Sequence, residues 1–479
     1  MAVTSGHRVF RSTVLLTVSR IAADLIFLGF YLALSRRFGT EGIGQYSFSL
    51  ALTALVFGVV TSGLTDYMVR EVSRRRAELP HYLGAVLVTV GLASFVAILL
   101  LAALVPVFRM GPRDILILAL IGTSQLFYFL GNIYRGLFAI HEELSRVSYS
   151  ELVYKVVIVA VGTVLLVMGL PLAAVLAAFP VAAVVYLTFL VWQARRYPAP
   201  VVALNRPLFH QMRRETPPFF VGALLGTVSF RLNPILLNYF HGYDANGVYA
   251  SASKLVEIVL LCVTFYQMSL FPTLSRLFAE TRMRHRWMLI ESIRYLVMLA
   301  LPAAAIFFFA ADRIIPLLFG SRFLSAIPVL RILAVAVTFA ALRHLLLTGL
   351  ASMNQQWNWV RTQLVGVTLG LIAGLVLIPR LAADGAAWAL LIAEVAGCLF
   401  AGRLVQTSIG SVPIRIAAKP IAATVVMSVA LVLLRHDSVF IQAPVAGVAY
   451  LAVLVATRAV DRETMEFVRG ALGLRFGEG

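Results

Sequence analysis

The sequence predicts an all-α polytopic membrane protein with about fourteen transmembrane helices, arranged as two homologous six-helix lobes plus a C-terminal helix pair. Three observations predict this. The 479-residue chain is 61% hydrophobic and only 13% charged, with a mean hydropathy of +0.91, well outside the range of a soluble domain. Apolar runs of about 20 residues, each enough to cross a ~30 Å hydrocarbon layer as helix, recur along the whole length. The third observation is a repeat. Gly39-x4-Gly44-x-Tyr46 opens a long apolar helix, and 203 residues later Gly242-x4-Gly247-x-Tyr249 opens another. Leu274-Ser275-Arg276 then echoes Val72-Ser73-Arg74 one residue out of register. A repeat at that distance is too long for a solenoid and suits a duplicated half-protein.

In chain order, helices are expected near 13–35, 42–69, 81–108, 114–140, 147–169 and 172–194, which make up an N-terminal lobe over 1–194. The polar, proline-containing stretch 195–217 reads as a cytoplasmic inter-lobe linker. A second lobe over 218–410 holds helices near 218–240, 246–272, 288–311, 313–348 (broken near Gly320), 359–378 and 384–407. Residues 411–479 add a helical hairpin, 413–434 and 439–457, and a cytoplasmic tail with no counterpart in the first half. The repeat recurs after an even number of spans, so the halves share one orientation. The first apolar run lacks a small-residue cleavage site and reads as a span, not as a removed signal peptide. Cys262 and Cys398 both lie in apolar segments and read as buried core thiols, with no disulfide framework, metal site or cofactor implied.

Arginine sets the orientation. The even-numbered loops carry Arg70, Arg74, Arg75 and Arg76, then Arg195, Arg196, Arg206, Arg213 and Arg214, then Arg276, Arg282, Arg284 and Arg286. The odd-numbered loops are poorer. The positive-inside rule therefore puts both termini in the cytoplasm of a multi-pass plasma (inner) membrane protein. The net charge of +18 expresses this bias and an attraction to anionic headgroups. It does not indicate nucleic acid, because no basic stretch is interleaved with stacking aromatics on a soluble domain. The stretch Pro272 to Trp287 reads either as an interfacial helix or as a helix extension with a solvated basic face.

Ionisable residues at membrane depth carry the functional signal, since each costs roughly 2.5–3.5 kcal/mol to insert and must face a partner or a wet cavity. Arg20 and Asp24 sit four apart on the first helix. Gln45, Ser49 and Thr53 make a polar stripe leading to Asp66 and Arg70. Gln125, Tyr128, Asn132 and Arg135 share one face of the fourth helix. The second half shows Arg231, then Tyr249, Ser253, Lys254 and Glu257, then Arg331, Arg343 and Glu394. Arg20–Asp24, Glu151–Lys155 and Lys254–Glu257 also read as self-neutralising pairs that only fix packing, and the Ser and Thr stripes as glue between helices. Taken together, Arg135, Arg231 and Arg343 stand without near partners, so an inter-lobe cavity with excess positive charge is expected, suited to an anionic cargo.

The sequence resembles the oligosaccharide-lipid flippases of the multidrug/oligosaccharidyl-lipid/polysaccharide exporter superfamily. The residues that carry the resemblance begin with Phe38-Gly39, Gly44-x-Tyr46 and Gly63-Leu64 running into Arg70-Glu71-Val72. They continue through Gly247-x-Tyr249-Ala250-x-Ala252-x-Lys254, Phe271-Pro272 and Leu318-Phe319-Gly320. Ala326-x-Pro328-Val329-Leu330-Arg331, Pro379 and Gly385-Ala386-Ala387-Trp388-Ala389 complete the pattern. Each motif is weak alone; their order and spacing over roughly residues 10 to 410 are specific.

The resemblance implies a transporter, not an enzyme. It would flip polyprenyl-pyrophosphate-linked oligosaccharide units (O-antigen, capsule or exopolysaccharide precursors) from the cytoplasmic to the outer leaflet by alternating access. On this reading Arg20, Arg135, Arg231, Lys254 and Arg343 hold the phosphates, because guanidinium forks suit them. Gln45, Gln125, Tyr128, Asn132 and Tyr249 serve the sugars, with Asp24 and Glu257 as counter-ions or coupling groups. The partners are the lipid-linked glycan and the bilayer, with a polysaccharide polymerase or other assembly protein also compatible. Relatives often carry an acid just after the position of Arg231, where this chain has Asn233-Pro234, which puts coupling through that acid in doubt. The alternatives are a cation-coupled multidrug antiporter of the same superfamily and a peptidoglycan-precursor flippase. A membrane polymerase would need a sizeable outer loop with catalytic groups, and the loops around Arg109, Gly169, Tyr243, Arg380 and Asp437 are short.

Overall fold

The computed structural model describes residues 2–61, 63–201, 206–215, 217–410, 413, 415–435 and 438–457, and for residues 2–21, 60, 74, 144, 206, 207, 209, 213, 215, 217–219, 222, 223 and 439 only the backbone. Fifteen α-helices run through them: α1 (Ala2–Thr61), α2 (Leu64–Arg74), α3 (Leu79–Leu104), α4 (Pro112–Ile140), α5 (Leu144–Val167), α6 (Leu172–Leu176), α7 (Ala178–Ala194), α8 (Arg206–Glu215), α9 (Pro217–Glu280), α10 (Arg282–Phe309), α11 (Ala311–Phe319), α12 (Ala326–Ser352), α13 (Gln356–Ile409), α14 (Arg415–Leu433) and α15 (Val439–Ala456). There is no strand among the described residues.

Among the described residues, ten segments are long and apolar enough to cross a membrane. Three of them are halved by a backbone break, at Gly39 in α1, Gly242 in α9 and Ala382 in α13. With these halves and the shorter apolar run Phe440–Ala456, the fourteen expected crossings are present. The breaks at Gly39 (φ 67°, ψ −164°) and Gly242 (φ 79°, ψ −167°) have one geometry, in a region open essentially to glycine alone. The expected second helix is interrupted by Gly63 (φ 78°), which separates α1 from α2. Gly320 (φ 93°) ends α11 where the break in 313–348 is expected.

By contacts, one compact unit comprises residues 1–251 with 370–389 and a second comprises 252–369 with 390–479. In the first, Val201 and α8 are fastened down. The Val201 amide donates to the Pro80 carbonyl at 2.9 Å, and Leu208 and Met212 of α8 bury among Tyr67, Met68, Val72, Tyr82 and Leu83. In the second unit, α14 and α15 clamp α10 through Met427, Leu431, Ala446 and Tyr450, and the Tyr450 hydroxyl donates to the Met298 carbonyl at 2.7 Å.

Of the two readings of the stretch 272–287, the structure shows the helix extension: α9 continues to Glu280 and α10 starts at Arg282. One expectation is corrected. Cys262 is exposed and Cys398 half-buried, and neither is a core thiol. In a membrane bundle an apolar segment has a lipid-facing side as well as a packed one, so apolar surroundings in the sequence do not imply burial.

Candidate functional site

A cavity of about 470 Å³ opens in the first unit, walled by the C-terminal part of α1, the start of α2, the C-terminal half of α4 and α9, with one residue each from α3 and α5. Gly58, Thr61, Gly63, Thr65, Asp66, Asn132, Arg135 and Thr227 contribute its polar or small lining, and Val69, Val90, Phe129 and Val147 the apolar part. Gly63 is essential to its shape: its positive φ turns the chain so that the first turn of α2, with Thr65 and Asp66, faces the space. Arg135 is held in the wall from two sides. Its Nη1 lies 3.3 Å from Oε1 of the buried Glu151 of α5 and donates to Asn132 Oδ1 at 3.2 Å. A guanidinium fixed in this way keeps N–H groups free to meet a ligand in a defined direction.

The partners differ from those expected of several charges. Arg135 and Arg343, expected to stand without near partners, both have them. Arg343 of α12 grips Glu394 of α13 bidentately at 2.6 and 2.9 Å and also donates to Gln363, with Arg343 and Glu394 only 4% and 7% exposed. Asp24 pairs with Lys155 of α5, and Glu151 with Arg135, so neither the Arg20–Asp24 nor the Glu151–Lys155 pairing describes them. The side chain of Arg20 lies outside the described residues. Arg231 alone of the three cations is half-buried with no ion-pair or hydrogen-bond partner among the described residues. It stands one turn beyond the cavity-lining Thr227 on the same helix face. The expected excess of positive charge is absent from this cavity, whose ionisable lining is Asp66 and Arg135.

The remaining expected residues are distributed as follows. Asn132 lines the cavity. Tyr128 sits behind it, stacked on Tyr186 at 5.3 Å and tilted against Tyr154 at 5.5 Å. Gln125 is half-buried outside the lining. Gln45 is buried and donates to Asp114 Oδ1 at 3.1 Å. Tyr249 is buried, its hydroxyl accepting from Asn233 at 3.4 Å, while Asn233 also donates to the Ala386 carbonyl at 3.2 Å. In the second unit Lys254 pairs with Glu257 at 3.0 Å. Asp66, at the end of the polar stripe read from the sequence, lines the cavity, while Thr61, Thr65 and Thr227 are lining residues that the sequence reading did not single out. The signal available was the glycine at 63, which marks a backbone turn beside a run of small polar residues.

Toward the N-terminal ends of α4 and the post-Gly39 half of α1, the same unit is sealed. The turn after Gly39 packs on the turn after Gly242 so closely that a Cβ on Gly44 would lie 1.8 Å from the Tyr243 carbonyl oxygen. A Cβ on Gly247 would lie 1.9 Å from that of Thr40. Thr40 Oγ1 donates to Asp244 at 2.7 Å, and Asn246 donates to the Gly44 carbonyl at 3.2 Å. Between seal and cavity, Phe48, Leu52, Val56, Phe57, Leu101 and Leu118 form an apolar layer.

Among the described residues, fourteen apolar crossings, glycine-broken helices and a polar cavity in one unit make up the fold of a membrane transporter. Solved structures agree. The lipid II flippase MurJ in an inward closed conformation matches with a TM-score of 0.79, covering 93% of this chain and 99% of that one at 14% identity. An inward-facing multidrug resistance MATE family transporter matches at 0.67, covering 83% of this chain and 98% of that one at 13% identity. A MOP superfamily transporter from Pyrococcus furiosus matches at 0.60, covering 84% and 96% at 13% identity. At such identities the likeness shows the fold. Residues 9–278 match the polysaccharide biosynthesis protein family, and the chain belongs to it. No curated protein matches the chain by sequence.

Proposed function

We propose that this protein flips a polyprenyl-pyrophosphate-linked oligosaccharide, an O-antigen, capsule or exopolysaccharide precursor, from the cytoplasmic to the outer leaflet of the plasma membrane. The observation that supports the reading best is Arg135, held by Glu151 and Asn132 in the wall of a hydroxyl-lined cavity. Arg135 would meet the pyrophosphate through its free N–H groups, with Arg231 as a second cation one turn past Thr227. Thr61, Thr65, Thr227, Asn132 and Asp66 would take the sugar hydroxyls, and the prenyl tail would stay in the bilayer. Two six-helix lobes, 1–194 and 218–410, would carry the alternating-access movement, with both termini cytoplasmic. Lys254 and Glu257 remain candidates for the second lobe's share of the site. The buried, doubly engaged Arg343 fits a packing role better, because freeing its guanidinium would strand Glu394.

A peptidoglycan-precursor flippase is the second reading, favoured by the 0.79 likeness to the lipid II flippase over nearly the whole of both chains. The site is tested by binding of a polyprenyl-pyrophosphate disaccharide to the purified protein. Arg135→Gln should weaken it about tenfold, the loss of ~1.4 kcal/mol expected for one charge-assisted hydrogen bond. Unchanged affinity would remove Arg135 from the phosphate site.

A further inference from the structure

We propose that the first unit carries a site for an anionic glycerophospholipid, with one acyl chain in an apolar slot between α3 and α4 and the phosphate on Arg109 and Arg113. The inference needs only the membrane fold and is independent of what the protein transports.

The slot has a volume of about 270 Å³ and takes its walls from α1, α3 and α4. Phe57, Leu101, Leu118 and Gly122 form a buried floor. Ile98, Ala102, Ile115 and Ala119 form an exposed rim. In a helix pair that spans the bilayer, a groove with a packed floor and an open apolar rim admits hydrocarbon from the side. Its depth fits one chain. On α4 the lining runs from Ile115 to Leu126, roughly 16 Å of helix at 1.5 Å per residue. Half of a ~30 Å hydrocarbon layer is about 15 Å, so the slot is as deep as one leaflet.

The headgroup end carries positive charge that the protein does not neutralise. Both walls end on the turn between α3 and α4, at Val105 and Ile115, and Arg109 and Arg113 lie between those two positions. Both arginines are exposed, with no ion-pair or hydrogen-bond partner among the described residues. The neighbouring acid is engaged elsewhere: Asp114 accepts from Gln45 at 3.1 Å and from the Gly111 amide at 3.2 Å. Two guanidinium forks beside an apolar slot complement a phosphate diester with its acyl chain. The turn lies on an odd-numbered loop, the arginine-poor side of the chain, so the orientation bias does not explain the pair. Arg109 is also held at φ 51°, a left-handed conformation that chain ends of helices usually give to glycine. A long charged side chain kept at such a position points to a use for its head.

The slot backs onto the polar cavity. Phe57 in its floor stacks on the cavity-lining Phe129, with ring centroids 6.1 Å apart. A chain in the slot therefore braces the cavity wall from the lipid side.

The test places full-length protein in phosphatidylcholine vesicles containing a trace of phosphatidylglycerol with a photoreactive diazirine on one acyl chain. Adducts are mapped by mass spectrometry. On residues 98–126 this probe should give about tenfold more adduct than phosphatidylcholine carrying the same diazirine, and Arg109→Gln with Arg113→Gln should remove that advantage. Ala119→Trp, at an exposed position, should fill the slot and abolish the adducts there. The comparison of the two probes on the unaltered protein decides the matter even if a variant misfolds. Equal yields from the two probes would overturn the anionic site, and adducts undisturbed by Ala119→Trp would overturn the slot. Displacement of the probe by a polyprenyl phosphate in preference to unlabelled phosphatidylglycerol would overturn the phospholipid as occupant.

Discussion

Arg343 shows most clearly what single residues do here. Its guanidinium stem rests on Gly397, where an added Cβ would meet Arg343 Cδ at 2.6 Å, and its head is consumed by Glu394 and Gln363. Removing one partner of such a pair leaves an uncompensated buried charge. Arg343→Ala should therefore destabilise the protein by about 3–5 kcal/mol, while Arg343→Met combined with Glu394→Leu loses much less. Unfolding in detergent checks both, and equal losses would refute the packing role. The same scale explains which residues were legible in the sequence. Gly39, Gly44, Gly242 and Gly247 stood out because only glycine meets their backbone demands, and the structure uses each of them. Ion pairs were misassigned because spacing reveals neighbours on one helix only. Arg135–Glu151, Asp24–Lys155 and Arg343–Glu394 each join two helices, and no periodicity encodes that.

Among elements, helix positions were legible and their fine divisions less so. Apolar runs located all fourteen crossings because hydrocarbon leaves the backbone no other way to satisfy itself. The interruption at Gly63 divides the expected helix 42–69 in two, because its left-handed backbone ends α1 and starts α2. The turn between α4 and α5 gives a prediction of its own. Glu143 accepts a hydrogen bond from the Tyr197 hydroxyl and from Arg146 Nη2 at 3.3 Å, and these contacts, Tyr197 first, lower its pKa. A carboxyl whose folded pKa is depressed contributes stability above its ordinary range and loses it as pH falls through the folded value. Hydrogen exchange of residues 141–146 should accelerate under acidic conditions below the ordinary glutamate range, and Tyr197→Phe should move that onset to higher pH. An onset unmoved by Tyr197→Phe would show that the hydroxyl does not hold the turn.

For the whole molecule, the duplication accounts for more than the number of helices. It supplies two turns able to meet each other, and with them a closed end opposite a polar cavity. Composition and apolar runs were enough to place the chain among polytopic membrane proteins, and the family and fold are those of transporters. The cavity itself was not legible, because its lining is drawn from α1, α2, α3, α4, α5 and α9 and depends on how those helices pack.

The central claim is that an anionic glycolipid crosses the bilayer through this protein. Its most direct test follows a fluorescent polyprenyl-pyrophosphate disaccharide between the leaflets of reconstituted vesicles, with efflux of an organic cation measured in parallel. The account predicts leaflet transfer of the glycolipid, reduced at least tenfold by Arg135→Gln, and no cation efflux. Cation efflux without glycolipid transfer would contradict it and make the protein a multidrug exporter.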